Sequence, residues 1–462
     1  FSTGSNSFSD KELGFHLYLW AVRGIERLCG VADMGPPFHF AAFCAGLLLF
    51  GGFVFACWRL GVHPLITLFV SLALAVLSIP FLFRLMMVRP HLLAVGLLLA
   101  SCGLYAKGTW KFKLIAAFAI SFVFTWSYSN PHFIIISALC FGLALYPEMG
   151  LRAFLLPCAS AGGFLAGLII HPQFPNSLLM WKVQCVDAVL RPIIMDNSPI
   201  NKPAEMFRPS THWIFLSIPL LLICYFELMA LIGMKERGGL KAIAPNLKAL
   251  ALLTVVFVAA SAMASRAIEY FCPLACLLGA VLLEDVRRGA LPLKFKVNPY
   301  ALASIAAAAM ALLALFDWHQ LCAPRPMRDW TPCPGVAGWL KLNQPSGSVV
   351  ANLNWGDFPM LFYSAPEYKY IWGMDPMFTY ASHRTVAIEL DRMCKSRQAP
   401  DPARLRYLTG ADYAVALYQP MMQFLALSGW RLVYSGNDGW IFDLREPADE
   451  EAKEEGSKLL KK

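Results

Sequence analysis

Long apolar runs separated by short polar connectors occupy most of residues 38–317. A helix needs roughly 20 apolar residues to cross a bilayer, although helices inside a bundle can be shorter. The sequence therefore predicts about ten membrane helices, and the short third to fifth runs leave that count open by one or two. The runs cover residues 38–58, 64–83, 91–106, 112–128, 131–147, 151–170, 211–234, 249–265, 267–284 and 299–317.

The first 35 residues precede these runs and have a different pattern. Ser9 and Glu12 fit the S-x-x-E capping box that begins a helix, and apolar residues then recur at near-helical spacing with charges between them. This segment predicts an amphipathic helix on the membrane surface rather than a span. Its apolar positions are Leu13, Leu17, Trp20 and Ile25. Because the sequence begins at Phe1 and not at Met, we expect the natural protein to contain residues before it.

After residue 318 the pattern changes to short strands and helices. Alternating β-branched and aromatic residues predict strands at 347–353, 368–372, 412–417 and 431–443, and helical patterns fall at 385–395 and 401–409. Asp401 and Pro402 supply a cap and a first-turn proline for the second helix. We therefore predict four segments: a surface segment (1–35), a membrane helical domain (36–317), a soluble α/β domain (318–445) and a charged tail without fixed structure (446–462).

Composition supports the membrane assignment. Of 462 residues, 58% are hydrophobic and only 15% are charged, and the mean hydropathy is +0.54. A soluble protein is closer to a quarter charged, so a soluble globular chain, a disordered chain and a small disulfide scaffold are excluded. The net charge of +9 comes mainly from short loops between apolar runs. It indicates membrane topology and contact with membrane lipids, not a nucleic-acid partner.

The thirteen cysteines form neither a CxxC pair nor a Cys/His metal pattern. Most of them lie in apolar runs, where cysteine packs as a small hydrophobic residue. Cys322 and Cys333 are candidates for a disulfide if their compartment is oxidising, with two free thiols as the alternative.

Lysine and arginine are distributed unevenly between alternate loops. The loops after the odd-numbered runs hold thirteen of them: Arg59, Lys107, Lys111, Lys113, Arg152, Lys235, Arg237, Lys241, Lys248, Arg287, Arg288, Lys294 and Lys296. The opposite short loops hold Arg84, Arg89 and Arg266. The positive-inside rule makes the first set cytoplasmic, so the N-terminal segment, the 171–210 loop and the C-terminal domain are predicted to face outward. An odd number of spans would move the C-terminal domain to the other side.

Residues able to do chemistry collect in the loops predicted to face outward. They include Asp10, Glu12, Arg89, His91, Asn130, His132, His171, Glu205, Arg208, Arg266 and Glu269. Acids, imidazoles and arginines at one membrane face suit a site for a phosphate-bearing substrate at the lipid surface. The cytoplasmic loops contain mostly Lys and Arg connectors.

Several of the polar residues also have a purely structural interpretation. Arg84 is expected to extend to the lipid headgroups. Asn130, followed by proline, is a turn signal. The capping box accounts for Glu12 without any catalytic role. Glu227, well inside a run, is interpreted as a polar contact between packed helices.

Motifs of soluble enzymes do not occur: the sequence contains no Walker A loop, no GxGxxG after a strand, no HExxH and no GxSxG. Repeated halves and several intramembrane charges, which are typical of ion-coupled transporters, are not evident either. Gly163 and Gly167 have the small-x-x-x-small spacing of packed membrane helices.

Short segments along nearly the whole chain resemble a bacterial family of GT-C-type glycosyltransferase-like membrane proteins. Phe1-Ser2-Thr3 followed by Glu12-Leu13-Gly14 resembles the family's first extracytoplasmic loop, where an acidic residue precedes the Phe-Ser pair. Arg89-Pro90-His91 resembles the start of a later family helix. The remaining similar segments are Asn130 to His132, Glu205 to Pro209, Trp355 to Pro359 and Gly373 to Pro376.

The resemblance implies transfer of a sugar from a polyprenyl-phosphate donor to a lipid, glycan or protein at the outer face of the bacterial cytoplasmic membrane. An acid would act as base or as ligand of a divalent metal, and arginines would neutralise the departing phosphate. On this basis Glu12 is the expected catalytic acid. Arg89, Arg208 and Arg266 are the expected phosphate ligands, and His91, Asn130, His132 and Glu205 are expected to line the site.

Two rival hypotheses remain open at this point. One is a membrane scaffold of the same fold that assembles envelope components without catalysis. The other is a transporter of lipid-linked material. An acidic residue directly before Phe1, after a spanning helix, would favour the enzyme.

Overall fold

A computed structural model describes residues 10, 12–30, 38–190, 208–238, 243–289, 308–316, 318–319, 333–373, 379–380, 383–396 and 401–446. The chain divides into two compact units. One contains the helices within Asp10–Trp181 and Pro203–Ala323, and the other contains the C-terminal residues from Pro324 together with a π-helical turn at Lys182–Leu190. Glu205, Cys322 and residues 447–462 lie outside the described part, so the predictions made for them are not taken further.

The first unit is helical. Its helices are α1 (Leu13–Leu28), α2 (Phe38–Leu60), α3 (Pro64–Leu74), α4 (Ile79–Leu85), α5 (His91–Ala106), α6 (Trp110–Ser127), α7 (His132–Met149), α8 (Leu155–Ile169), α9 (Asn176–Trp181), α10 (Thr211–Phe215), α11 (Ile218–Gly238), α12 (Pro245–Met263) and α13 (Ile268–Arg287). Short 3₁₀ turns at Gly150–Phe154 and Ser265–Ala267 precede α8 and α13.

Six helical stretches in the described residues are long and apolar enough to cross a membrane, or seven if α3 and α4 form one broken span. The chain is therefore a multi-pass membrane protein, as the apolar runs predict. Even the higher number, seven, is three below the ten predicted runs, and each missing span has a reason. Helix α5 is shorter than a full span, α7 and α8 belong to one apolar stretch that turns at Gly150, and the run at 299–317 is described only in part.

The predicted run over 64–83 is not one straight helix. Helix α3 ends at Leu74, and α4 leaves at an angle of 92°. The break has a local cause, because the Ser78 hydroxyl accepts a hydrogen bond from Phe81 N at 3.4 Å and Pro80 occupies the first turn of α4. Both are helix-start signals. Ser78 Oγ also lies 3.0 Å from Ser217 Oγ, which links the bend to the start of α11.

Glycines allow close approach of neighbouring helices. A Cβ at Gly52 of α2 would lie 2.3 Å from the Gly96 carbonyl oxygen of α5. A Cβ at Gly163 of α8 would lie 2.0 Å from the Phe118 carbonyl oxygen of α6, and one at Gly167 would lie 2.8 Å from Thr125 Cβ. The prediction that Gly163 and Gly167 pack helices together is therefore confirmed.

Helix α1 is amphipathic, as predicted. Phe15 and Val22 are buried, whereas the side chains of Trp20 and Leu28 are 77% and 89% exposed. Its start differs from the predicted capping box, because the helix begins at Leu13 and Glu12 takes the N-cap position without a side-chain cap hydrogen bond. The turn before it is held by Asp10 instead, since Asp10 Oδ1 accepts a hydrogen bond from Glu12 N at 3.0 Å.

The second unit contains a five-stranded sheet with helices, so the predicted C-terminal α/β fold is confirmed. The strands are β1 (Val349–Asn352), β2 (Lys369–Tyr370), β3 (Tyr413–Ala416), β4 (Arg431–Gly436) and β5 (Gly439–Asp443), in the order β2-β1-β3-β5-β4. The first three strands of this order are parallel, and β5 is antiparallel to both β3 and β4. The helices are α14 (Pro334–Asn343), α15 (Phe358–Ser364), α16 (Arg384–Ser396), α17 (Pro402–Thr409) and α18 (Gln419–Leu427).

Two buried polar side chains fix the loops of this sheet. The Asn352 amide donates to the Trp372 carbonyl and accepts from Trp372 N, at 3.0 and 2.9 Å, and so continues the pairing of β1 with the segment after β2. The Asp357 carboxylate, 1% exposed, accepts from Leu417 N and from Asn354 Nδ2. Buried polar atoms need such partners.

Three details of this unit differ from the sequence prediction or add to it. The predicted strand 431–443 is a hairpin, because the chain turns between Gly436 and Gly439. Helices α14, α15 and α18 were not predicted. The Cys333 thiol is free and buried, and it donates to the Met360 carbonyl oxygen at 3.6 Å. As predicted, Asp401 caps α17 by accepting from Ala403 N.

Candidate anion-binding site

A buried ion pair joins the end of α4 to the start of α13. The side chains of Arg84 and Glu269 are only 3% and 1% exposed. Arg84 Nε donates to Glu269 Oε1, and Nη2 is in ion-pair contact with the same oxygen. The expectation that Arg84 extends to the lipid headgroups is therefore wrong. The bend between α3 and α4 directs this arginine into the bundle.

A second arginine reaches the same carboxylate from a different element. Arg266 lies on the 3₁₀ turn before α13, and its Nε is 3.8 Å from Glu269 Oε1. Its Nη2 donates to the Tyr128 hydroxyl at 3.3 Å. The Arg266 side chain is 24% exposed, unlike that of Arg84. Among the residues that the structure describes, the cluster holds two guanidinium groups and one carboxylate, a net positive charge that attracts an anion.

His91 supports this cluster from the first residue of α5. The imidazole is buried, and Nε2 lies 3.0 Å from the carbonyl oxygen of Arg84. A carbonyl oxygen only accepts, so Nε2 is the donor. The charges of Glu269, Arg84 and Arg266 all act on this ring. Sequence reasoning placed His91 in the site, and the structure brings it next to the two arginines.

Aromatic rings enclose the cluster on the side of α7 and α12. The rings of Phe257 and Tyr270 stack at 5.0 Å, and Phe133 packs edge-on against Tyr270 at 4.9 Å. Tyr128 lies 6.3 Å from Tyr270. Burial raises the pKa of the Tyr128 phenol, although Arg266 opposes the shift, so the hydroxyl stays protonated at neutral pH. An apolar wall of this kind strengthens charge interactions by lowering the local dielectric constant.

A second polar cluster surrounds Asp10, before α1. The Asp10 carboxylate accepts from Glu12 N and from His16 Nδ1, the latter at 2.6 Å, and the Asp10 backbone N–H donates to Gln173 Oε1. His171 is buried, and its ring lies edge-on to Trp126 at 5.8 Å. Burial by itself raises the pKa of Asp10, but the hydrogen bonds from His16 and Glu12 outweigh it and lower that pKa.

The end of α6 connects the two clusters. Trp126 contacts His171 of the Asp10 cluster, and Tyr128 two residues later binds Arg266. Helix α1 adjoins the same place, because a Cβ at Gly14 would lie 2.8 Å from Ser127 Oγ. We call this region, where α6 and α12 end and α7 and α13 begin, the site end of the bundle.

The remaining predicted site residues differ in their distance from the cluster, and Asn130 reaches it, because its side chain is within hydrogen-bonding distance of the Tyr128 hydroxyl. Arg89 lies in the bend before α5, and the carbonyl oxygen of Asn130 accepts from Phe133 N where α7 begins. His132 is half-buried and packs edge-on to Phe133 at 4.7 Å. Arg208 is exposed before α10. Their roles in binding remain predictions, as does the catalytic role of Glu12.

Sequence reasoning missed the residues that hold the cluster together. The sequence pattern indicates a lipid anchor for Arg84, a helix junction for Glu269 and a turn for Tyr128, but no contact among them. The one available signal is that these residues fall at helix ends on the same predicted membrane face. The pairing of Arg84 with Glu269 spans 185 residues of sequence, so local patterns do not contain it.

Within the described residues, no group of three or more His, Cys, Asp or Glu side chains is arranged to hold a metal ion. A divalent metal in the site remains a prediction.

Solved structures share this fold. The oligosaccharyltransferase AglB of Archaeoglobus fulgidus, solved with an inhibitory peptide and a dolichol-phosphate, superposes with a TM-score of 0.55 at 12% identity over 94% of this chain. ArnT of Cupriavidus metallidurans gives 0.52 at 12% identity, over 94% of this chain and 88% of its own. The mycobacterial arabinofuranosyltransferase AftD gives 0.50 at 14% identity, over 92% of this chain.

The chain spans 66% of the length of AglB and 35% of that of AftD. No family model and no curated protein matches the sequence. The fold is therefore that of a GT-C-like glycosyltransferase, as the sequence resemblance implied, with a C-terminal sheet domain.

Proposed function

We propose that the chain is a membrane glycosyltransferase that moves a sugar from a polyprenyl-phosphate donor to a lipid, glycan or protein acceptor. The observation that carries this proposal is the net-positive cluster of Arg84, Arg266 and Glu269 at one end of a GT-C-like helical bundle. Arg266 is the partly exposed member and so the one able to meet a lipid phosphate. The dolichol-phosphate bound to AglB supports a donor of this chemical class.

Transfer of the sugar builds up negative charge on the departing phosphate, and the cluster can stabilise that charge. The bond between the sugar C1 and the phosphate oxygen breaks, and the acceptor oxygen forms the new bond to C1. The departing phosphate gains negative charge, which Arg266 stabilises with a preorganised charged donor. Tyr128 and Glu269 hold that guanidinium before the substrate arrives. A positioned base accepts the proton of the acceptor hydroxyl.

Two carboxylates near α1 are candidates for the base, Glu12 and Asp10. We favour Asp10, because its oxygens are held by His16 and by the backbone N–H of Glu12, whereas Glu12 occupies the N-cap position of α1 without a side-chain cap. The lowered pKa keeps the Asp10 carboxylate ionised at neutral pH, so it can accept a hydrogen bond from the acceptor hydroxyl and take its proton as the bond to C1 forms, although a lower pKa also makes it a weaker base. The His16 imidazole, 55% exposed, is bonded to the same carboxylate and can pass the proton onward.

We also propose that the site faces outward from the bacterial cytoplasmic membrane. This orientation rests on the excess of Lys and Arg in the loops at the other end of the bundle. There Glu284 of α13 accepts from Arg287 and Arg288, and Arg59 donates to the Gly103 carbonyl.

The test is lipid and glycan profiling of a deletion strain complemented with the full-length gene. We expect an under-glycosylated lipid or glycan in the deletion strain and its loss on complementation with the wild type. Variants Arg266→Gln and Asp10→Asn should fail to complement, whereas the exposed Arg152→Gln at the opposite end should complement fully. Full complementation by Arg266→Gln would remove that residue from the mechanism. Accumulation of a lipid-linked sugar on the inner leaflet would instead identify a transporter.

A further inference from the structure

Arg84 and Glu269 are too deeply buried to be the groups that first meet a lipid phosphate. Burying an ion pair costs several kcal/mol of desolvation per ion, and apolar residues of similar size often give equal or greater stability. Stability alone is therefore a poor explanation for this pair. Its geometry points to a different role, because the same Glu269 oxygen that Arg84 contacts also lies 3.8 Å from Arg266 Nε.

We propose that Glu269 and Arg84 are positioning residues for Arg266, acting as a buried carboxylate and its counter-charge. Glu269 Oε1 lies 3.8 Å from Nε of the Arg266 guanidinium and the Tyr128 hydroxyl accepts from Nη2, so the guanidinium is restrained from two sides. This inference rests on the proposed function, in which Arg266 binds the donor phosphate.

The backbone explains how this arrangement arises. Arg266 and Glu269 are three residues apart, on a 3₁₀ turn that runs into α13, so both side chains lie on one side of the helix start. Contact with the carboxylate therefore needs little loss of chain entropy. The looser 3.8 Å distance leaves the guanidinium able to adjust to a phosphate.

Arg84 is needed because of charge balance. Without it, Glu269 would pair with Arg266 alone, and the two charges would cancel at the place where the phosphate must bind. Arg84 neutralises the carboxylate from the buried side, so Glu269 does not by itself cancel the positive charge of Arg266. His91 supports this arrangement by donating from Nε2 to the Arg84 carbonyl oxygen, which ties the end of α4 to the start of α5.

The test combines stability and binding measurements on four proteins: the wild type, Arg84→Gln, Glu269→Gln and the double variant. The probe is undecaprenyl phosphate, titrated into the full chain in nanodiscs, and thermal unfolding is measured on the same samples. Glu269→Gln leaves the Arg84 charge buried without this carboxylate, and Arg84→Gln leaves Glu269 with the longer 3.8 Å contact to Arg266, so each single variant should melt at a lower temperature than the wild type. The double variant removes both charges together and should recover most of that loss.

Binding should behave differently from stability. The double variant keeps the same net charge at the site as the wild type, so any change in affinity reports the orientation of Arg266 and not the net charge. We expect its affinity for undecaprenyl phosphate to fall about tenfold, the scale of one charge-assisted hydrogen bond. Arg84→Gln should weaken binding by at least as much, and Arg84→Lys, which keeps the charge, should restore most of it.

A matched control exists at the other end of the same helix. Glu284 is also 3% exposed and also bonded to two arginines, Arg287 and Arg288. Glu284→Gln should lower the melting temperature and leave the affinity unchanged, so a loss of affinity there would overturn the proposal by showing that destabilisation alone weakens binding.

Three further results separate the possible failures. If the wild type binds the probe and the double variant binds it equally well, the positioning role is wrong and the proposed function is unaffected. If Arg84→Gln folds and binds as the wild type does, the charge-balance argument is wrong as well. If the wild type does not bind undecaprenyl phosphate, the proposed donor is wrong and the positioning role falls with it.

Discussion

Replacing Gly52 by alanine tests whether close helix contact holds the site end in place. A Cβ at this position would lie 2.3 Å from the Gly96 carbonyl oxygen, about 1 Å closer than an ordinary van der Waals contact. The clash is with backbone, so it is relieved only by moving α2 away from α5. At Gly51, the preceding residue of the same helix, an added Cβ would meet no heavy atom of the described residues within 4 Å.

The two substitutions should therefore affect the free energy of unfolding differently. Overpacking costs about 3 kcal/mol at the upper end of its usual range, and glycine to alanine in a helix recovers about 1 kcal/mol. Gly52→Ala should then lose about 2 kcal/mol, while Gly51→Ala should be neutral or gain up to about 1 kcal/mol. The separation of α5 should also displace His91 at its start and weaken binding of undecaprenyl phosphate.

The measurement is thermal unfolding of the purified full chain in detergent, followed by tryptophan fluorescence. Each variant adds a single methyl group, and the two positions are adjacent in one helix. Each variant is therefore the other's control for expression and reconstitution. Equal melting temperatures for Gly51→Ala and Gly52→Ala would show that α2 and α5 are not in such close contact, and would refute the reasoning.

Three other predictions concern packing and charge. Gly163→Ala should destabilise the α6–α8 contact, and Gly162→Ala, whose Cβ would meet only ordinary contacts at 3.7 Å, should not, as judged by the same unfolding assay. Asp357→Ala should lower the free energy of unfolding of the C-terminal unit by about 2 kcal/mol, because buried donors lose their acceptor. Asp412→Ala should change that free energy by no more than about 0.5 kcal/mol, because its ion pair is exposed. Limited proteolysis measures both. Burial raises the pKa of Asp443, but the hydrogen bonds from Arg445 lower that pKa overall. The Asp443–Arg445 pair should therefore stabilise the C-terminal unit above the ordinary pKa of 3.8, and the stabilisation should be lost as the pH falls below it. If the stability of Asp443→Asn fell with acid as steeply as that of the wild type, this prediction would be wrong.

The membrane part of the fold was predictable because it depends on local composition. Apolar runs of sufficient length, the amphipathic stretch around Trp20 and the glycine spacing of Gly163 and Gly167 are all properties of short windows, and each appears in the structure. The alternation of helices also predicts which loops share a membrane face. Arg266 and His91 can therefore be placed at one end of the bundle from the sequence alone, and their binding roles stay predictions.

The contacts within the site were not predictable in the same way. Whether Arg84 faces lipid or protein depends on the bend at Ser78, and that bend is also linked to Ser217 of a distant helix. The sequence does carry Asp438-Gly439, a hairpin signal, inside the segment 431–443 that is predicted as one strand. Pairings between distant segments are decided by packing, which a single sequence does not display.

The Asn352 side chain has a consequence for the behaviour of the protein in concentrated solution. Strand β2 is only two residues long, and beyond it the Asn352 amide holds both backbone groups of Trp372 on the β1 side, while the Thr379 hydroxyl donates to the carbonyl oxygen of the preceding residue, Ile371, at 3.1 Å. A foreign strand approaching this margin of the sheet would find too few consecutive backbone groups to build a ladder. The C-terminal domain is therefore protected at this margin against association through added strands, even when many copies are crowded on one membrane.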